Sequence, residues 1–182
     1  LLLLFGCLLF TSCNSTEKAF TRSENGSNAN SNTQSLSPDH FTPPATWKRI
    51  DACGATFYAP PDVREEKVQG TDSCVRRYRT HDTTFDLDAV PFSTPGDSRK
   101  SEYSNKSDFT LRKTKVDGQD AEIISCFDDN VDAHPPGFNY CAVLFVPYIT
   151  TQRSSFTIWT YSRTAEARAI ATNVFSTVRF TQ

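Results

Sequence analysis

The chain of 182 residues carries 19 Lys and Arg against 21 Asp and Glu, a formal net charge of −2 at pH 7. That near balance excludes general nucleic-acid binding, which needs a basic excess to displace the counterions around phosphates. The length allows one domain plus extras, and 7 Gly, 10 Pro and 12% aromatic residues fit a β-rich globular domain better than a helical bundle.

Leu1 to Ser12 reads LLLLFGCLLFTS, an apolar run without charge. It is shorter than the roughly 20 apolar residues that span a bilayer, and it has the length of the apolar region of a secretory signal. No Met and no basic segment precede it, so residues 1–12 are expected to be a truncated signal peptide. The run ends Phe10-Thr11-Ser12-Cys13, which resembles the lipobox of bacterial lipoproteins. Thr11 and Ser12 match the small positions, Cys13 matches the Cys that is lipidated, and Phe10 departs from the usual Leu. Cys7 ends a second, shorter match. The resemblance implies acylation of Cys13 and anchoring to a bacterial membrane, where each buried methylene contributes about 0.8 kcal/mol. Asn14 in place of a retention Asp points to the outer membrane, facing the periplasm.

From Asn14 to Pro44 the chain is rich in Ser, Asn and Thr and nearly free of aliphatic residues. Such a segment buries too little apolar area to offset its ordering entropy, so residues 13–44 are expected to form a tether, and 45–182 the globular domain. A plain secretory signal is the bland alternative. Asn14, Asn25 and Asn105 also begin N-x-Ser/Thr sequons, which would suit a eukaryotic secreted glycoprotein.

Within the domain a first strand is expected from Ala52 to Ala59, stopped by Pro60-Pro61. Cys74 to Thr80 and Thr84 to Phe92 should pair across a turn at His81-Asp82. Phe85, Leu87 and Ala89 alternate there with Asp86 and Asp88, the period of a strand with one wet face. That register sets Arg77 opposite Asp86 and Tyr78 opposite Phe85. Pro95 to Ser107 reads as a polar loop. Thr110 to Val116 and Asp120 to Phe127 flank Asp117-Gly118, a strong hairpin signal, with Lys115 facing Asp120 and Lys113 facing Glu122. Ala142 to Tyr148 and Ser155 to Tyr161 are the most apolar strands and belong at the centre of the sheet. On the second, Phe156 and Ile158 alternate with Trp159 and Tyr161, so both faces should be covered. Thr164 caps a helix beginning at Ala165, whose Ala167, Ile170, Ala171, Val174 and Val178 recur at helical spacing. A short strand, Thr177 to Phe180, follows. The expected class is α+β, an antiparallel sheet packed by helices that include a C-terminal one.

Of the 6 Cys, Cys53, Cys74, Cys126 and Cys141 fall in the domain. An even number in an exported domain suggests two disulfides with three possible pairings. A hairpin joining the segments that carry Cys126 and Cys141 favours that pair and leaves Cys53 with Cys74. Phe57 to Pro60, the V-D-G-x-x-A turn from Val116 to Ala121 and the helix running into Val178-Arg179-Phe180 together resemble the PsbP/Mog1/DcrB-like fold group. That group is functionally diverse, so the resemblance implies a fold and no single activity.

Motifs for catalysis are absent from the sequence: no Gly-x-Ser-x-Gly, no phosphate loop, no His-Glu-x-x-His. Nothing calls for a cofactor. Asp128, Asp132 and His134 form the most polar loop, with oxygen ligands that suit calcium but without EF-hand spacing. A solvated acidic loop is the preferred reading, and an ion-dependent envelope enzyme or factor the alternative. Asp82, Asp86 and Asp88 likewise read as the wet face of a strand. The leading expectation is a lipid-anchored envelope protein that binds a protein partner, such as an immunity or accessory protein, without catalysis.

Overall fold

The computed structural model describes residues 41–181 apart from 71, 92–95 and 131–133. Cys13, the Asn14 and Asn25 sequons and Asp132 lie outside the described residues. The chain order is β1 (Lys48–Ala52), β2 (Ala55–Ala59), β3 (Arg64–Glu66), β4 (Cys74–Arg79), β5 (Thr83–Pro91), α1 (Lys100–Tyr103), β6 (Ser107–Val116), β7 (Gln119–Phe127), β8 (Tyr140–Ile149), β9 (Ser154–Ser162), α2 (Ala165–Ser176) and β10 (Arg179–Phe180).

Seven strands form one sheet in the order β3-β4-β5-β9-β8-β7-β6, every neighbour antiparallel. A smaller sheet is ordered β1-β2-β10. Arg77 stands opposite Asp86 and Tyr78 opposite Phe85, while Lys115 stands opposite Asp120 and Lys113 opposite Glu122. The registers thus follow the hydrophobic alternation and the Asp117-Gly118 turn, where φ is 48° and 79°.

The strand expected over Ala52 to Ala59 is instead two strands of a hairpin. Cys53 and Gly54 take φ of 53° and 73°, the left-handed pair that a two-residue turn with matching strand twist requires. Short, charged β3 also escapes the sequence pattern, because Arg64-Glu65-Glu66 offers no apolar alternation. It is an edge strand, and its charge discourages pairing with another chain.

One face of the large sheet meets α2 and the small sheet. Phe57, Phe85, Leu87, Leu144, Phe156, Ile158, Val174 and Phe175 are fully buried there. Thr164 caps α2 as expected, its hydroxyl accepting from the Ala167 N–H at 3.1 Å. Ala167, Ala171, Val174 and Phe175 form the buried stripe, whereas Ile170 is 45% exposed. Ile170 lies on the flank of that stripe, and Phe175, which the spacing did not single out, is part of it.

The opposite face is apolar only along β6 to β9. Ile124, Cys126, Cys141 and Val143 pack there with Tyr103 and with the half-buried Trp159 and Tyr161. The expected covering of β9 on both faces is therefore present. Part of that cover is the segment expected to be a plain polar loop. α1 lies within it and buries Tyr103 at 7% exposure.

Cys53 bridges to Cys74 and Cys126 to Cys141, with Cα separations of 5.4 and 5.1 Å. Cys126 and Cys141 are directly opposed on β7 and β8, so the ladder itself brings the two sulfurs together. The first bridge ties the turn of the small sheet to the start of β4, near the edge of the large sheet.

Candidate functional site

Where β3, β4 and β5 extend beyond the apolar half of the second face, that face becomes polar. Register places Arg64 opposite Arg79 and Glu66 opposite Arg77, then Arg79 opposite Thr84 and Arg77 opposite Asp86. Partners directly opposite share a sheet face, so these side chains form one patch. The β7–β8 loop folds over it through His134 and Pro135. The result is a cleft of about 270 Å³ whose walls include Glu66, Arg77, Arg79, Thr84, Asp86 and Tyr161, closed by His134 and Pro135.

Arg77 holds Asp86 with two hydrogen bonds, Nε to Oδ1 and Nη2 to Oδ2. The Asp86 hydrogen bond is the main reason its guanidinium is held above its ordinary pKa. Arg79 is held more loosely, its Nη1 lying 3.8 Å from Glu66 Oε1. Its guanidinium also sits 5.2 Å from the centroid of the buried Phe138 ring, and that of Arg163 lies 4.5 Å from the same centroid. Thr84 is 3% exposed and its hydroxyl has no hydrogen-bond partner among the described residues. A buried hydroxyl left so costs about 1–3 kcal/mol. Four residues along β5, Asp88 Oδ1 is buried and equally unpartnered.

The loop that closes the cleft hangs on Asp128. Its carboxylate accepts from Lys106 Nζ at 2.8 Å and from the Asn130 N–H at 3.0 Å. Its backbone N–H donates to the Asn139 carbonyl at 2.8 Å, and its own carbonyl faces Asn139 Nδ2 at 2.9 Å and His134 Nε2 at 3.2 Å. The other ring nitrogen of His134 faces the Pro135 carbonyl at 3.3 Å, and the ring packs on Tyr161 with centroids 4.9 Å apart. The Asp128 carboxylate and one N–H of the His134 ring are thus spent on holding the loop. No group of three or more His, Cys, Asp or Glu among the described residues is placed to hold a metal. Of the acidic stripe on β5, Asp86 is neutralised by Arg77, and the exposed Asp82 lies 3.7 Å from His81.

Burial opposes ionisation of Asp128, but Lys106, the Asn130 N–H and nearby His134 outweigh it and hold the carboxyl below the usual carboxylate range. A carboxyl with a folded-state pKa below its unfolded value of about 3.9 stabilises the fold above that pH. The contribution is lost as pH falls through the folded-state value. Asp128→Asn should therefore lower stability by about 1–3 kcal/mol at pH 7 and lose less on further acidification than the native chain. Urea midpoints between pH 7 and pH 2 read both effects, and parallel acid limbs would refute the assignment.

A second concavity, about 380 Å³, lies at the far end of the same face beside Val90, Ser98, Arg99, Glu102, Phe145 and Ser155. The Glu122 carboxylate stands opposite Lys113 in the ladder as expected, but its hydrogen bonds come from elsewhere: one shared from the Ser98 hydroxyl, whose Oγ lies 2.8 and 3.0 Å from its two oxygens, and one from the Arg99 N–H at 3.3 Å. Register alone aligned Lys113 with Glu122, but the buried carboxylate is better satisfied by donors fixed above it. Arg99 pairs with Glu102 at 2.7 Å and stacks its guanidinium 5.1 Å from the centroid of Phe145. These contacts fasten α1 to the sheet. Burial also raises the pKa of the Tyr103 and Tyr161 phenols above the ordinary value, Tyr103's the more strongly.

Sequence patterning singled out neither Arg79, Thr84 nor Arg163. Arg79 and Thr84 face each other across the β4–β5 hairpin, whose register the alternation predicts, but Arg163 follows β9, far along the chain, and only the tertiary fold brings it to the Phe138 ring that Arg79 also meets. Comparison of the chain with protein-family models and with curated proteins finds no match. Among the described residues, no helix is long and apolar enough to cross a membrane.

Proposed function

We propose that this chain is an exported, lipid-anchored binding protein of a bacterial cell envelope. Cys13 is its acylated anchor, a polar tether follows, and the domain acts on a partner through the cleft at the polar end of its sheet. The observation that carries this reading is the pair of bridges, Cys53–Cys74 and Cys126–Cys141. Disulfides form and persist in oxidising compartments, the periplasm and cell surface among them. In this chain they follow an apolar run ending in a small-residue pair and Cys13, the order an anchored envelope protein needs.

A role as an immunity or accessory protein, occupying a site on a protein partner, suits a small, braced, tethered domain. The antiparallel sheet with its closing helix is compatible with the PsbP/Mog1/DcrB-like group, whose members differ widely in role. The outer membrane, facing the periplasm, is the location that Asn14 after Cys13 favours.

The intact mass of the unreduced protein, isolated from the membrane fraction of cells expressing the chain behind a complete signal, tests this. Cleavage before Cys13, added acyl chains and two oxidised cysteine pairs are expected. A soluble, unacylated product would overturn the anchor, and glycan on Asn105 would overturn the bacterial assignment.

A further inference from the structure

We infer that the cleft between the β3–β4–β5 face and His134-Pro135 is a subsite for an oxyanion, a carboxylate or phosphate group on the ligand. The inference rests on the reading of this cleft as the binding site and names the chemistry it takes.

Charge is the first support. Arg64 and Arg79 stand directly opposite each other on β3 and β4, a like-charge pairing that opposes strand association. Arg163 reaches the same corner through the Phe138 ring that it shares with Arg79. Arg77 and Arg79 line the cleft together with two carboxylates, Glu66 and Asp86, while Arg64 stands on the edge strand beside it and Arg163 over the Phe138 ring. Asp86 is consumed by Arg77, and Glu66 lies beyond hydrogen-bond distance of Arg79. The nearby acids are turned elsewhere: Asp62 accepts from the His81 N–H, and the Asp82 carboxylate lies beside the His81 ring. Arg64 and Arg163 have no carboxylate partner among the described residues.

Donor geometry is the second support. The Thr84 hydroxyl is buried in the cleft wall without a partner among the described residues, directly across the ladder from Arg79. A planar guanidinium beside a hydroxyl is a donor pair suited to the adjacent oxygens of a carboxylate or phosphate. The cleft volume of about 270 Å³ admits such a group with a few attached atoms and excludes a packed helix. His134 closes the site with a ring that packs on Tyr161 and donates to a backbone carbonyl through one of its nitrogens.

The test is NMR titration of the oxidised full chain in detergent, at constant ionic strength, with inorganic phosphate, acetate and a tri-glutamate peptide in separate arms. Saturable shifts of the Thr84 amide and the Arg79 side-chain N–H are expected with at least one probe. A phosphate-only response assigns a phosphorylated ligand, and at least tenfold tighter binding of the peptide assigns the acidic side chains of a protein partner. Arg79→Gln and Thr84→Val should each weaken binding at least tenfold, whereas Arg112→Gln on exposed β6 should not. Two-dimensional spectra of each variant report whether the fold is kept. Shifts that stay linear with every probe, or that are unchanged in folded Arg79→Gln, overturn the inference. An acylated chain that gives no saturable shift removes the oxyanion subsite alone; a soluble chain that binds phosphate removes the anchor alone.

Discussion

Phe57→Ala should lower the stability of the domain by about 3–5 kcal/mol, the range for deleting a fully buried aromatic ring. Phe57 is 0% exposed on β2 and meets Tyr78 of β4 edge to face, ring centroids 6.1 Å apart. It therefore joins the small sheet to the large one, and no neighbour can collapse into the space without separating them. A loss of that size approaches the whole stability of a typical domain, so a large fall in the urea midpoint or outright failure to fold is expected. Tyr58→Ala is the control. The next residue points to the other side, 36% exposed, and its backbone N–H bond to Thr177 survives truncation. It should cost about 1 kcal/mol or less. Equal losses at the two positions would show that the small sheet does not pack through Phe57.

The second large effect is expected from the bridge at the centre of the sheet. Cys126 and Cys141 are both fully buried, and 15 residues separate them along the chain. Closing a loop of that size restricts the unfolded chain by about 3 kcal/mol. Replacing both by Ala should cost that amount, plus the lost packing of two sulfurs against Ile124 and Val143. The same change should raise the susceptibility of the 128–139 loop to proteolysis, because the bridge clamps the strands at its base. Denaturant unfolding of the double variant, against the native chain with and without reductant, checks this. An unchanged midpoint in reductant would mean that the strand ladder alone holds the loop.

Much of the fold is legible in the residues because its signals are local. Asp117-Gly118 sets a hairpin with both turn positions at positive φ, and the alternation of Phe85, Leu87 and Ala89 with acidic neighbours sets a register that the ladder keeps. The cap at Thr164 works through atoms three residues apart. Where sequence patterning erred, a distant contact outweighed the local preference. The segment from Pro95 to Ser107 is polar in all but one large residue, yet Glu122 draws Ser98 and Arg99 down onto the sheet and Tyr103 follows. Ile170 has the spacing of a core residue and lies outside the core, because the sheet beneath α2 meets a stripe centred on Ala171, Val174 and Phe175.

The candidate site was the least legible part. Asp128 and His134 drew notice as carboxylate and imidazole in one loop, and both proved to be the fastening of that loop. Arg79, Thr84 and Arg163 carried no motif. Composition, hairpin turns, cap and cysteine spacing were enough by themselves to determine an α+β domain with two bridges, because each depends on a few bonds between near neighbours. Strand order, the double cover of β9 and the convergence of guanidinium groups on one buried ring were decided by tertiary structure alone. Those features come from pairing residues tens of positions apart, where the packing of whole faces sets the neighbours and no short-range preference reports them.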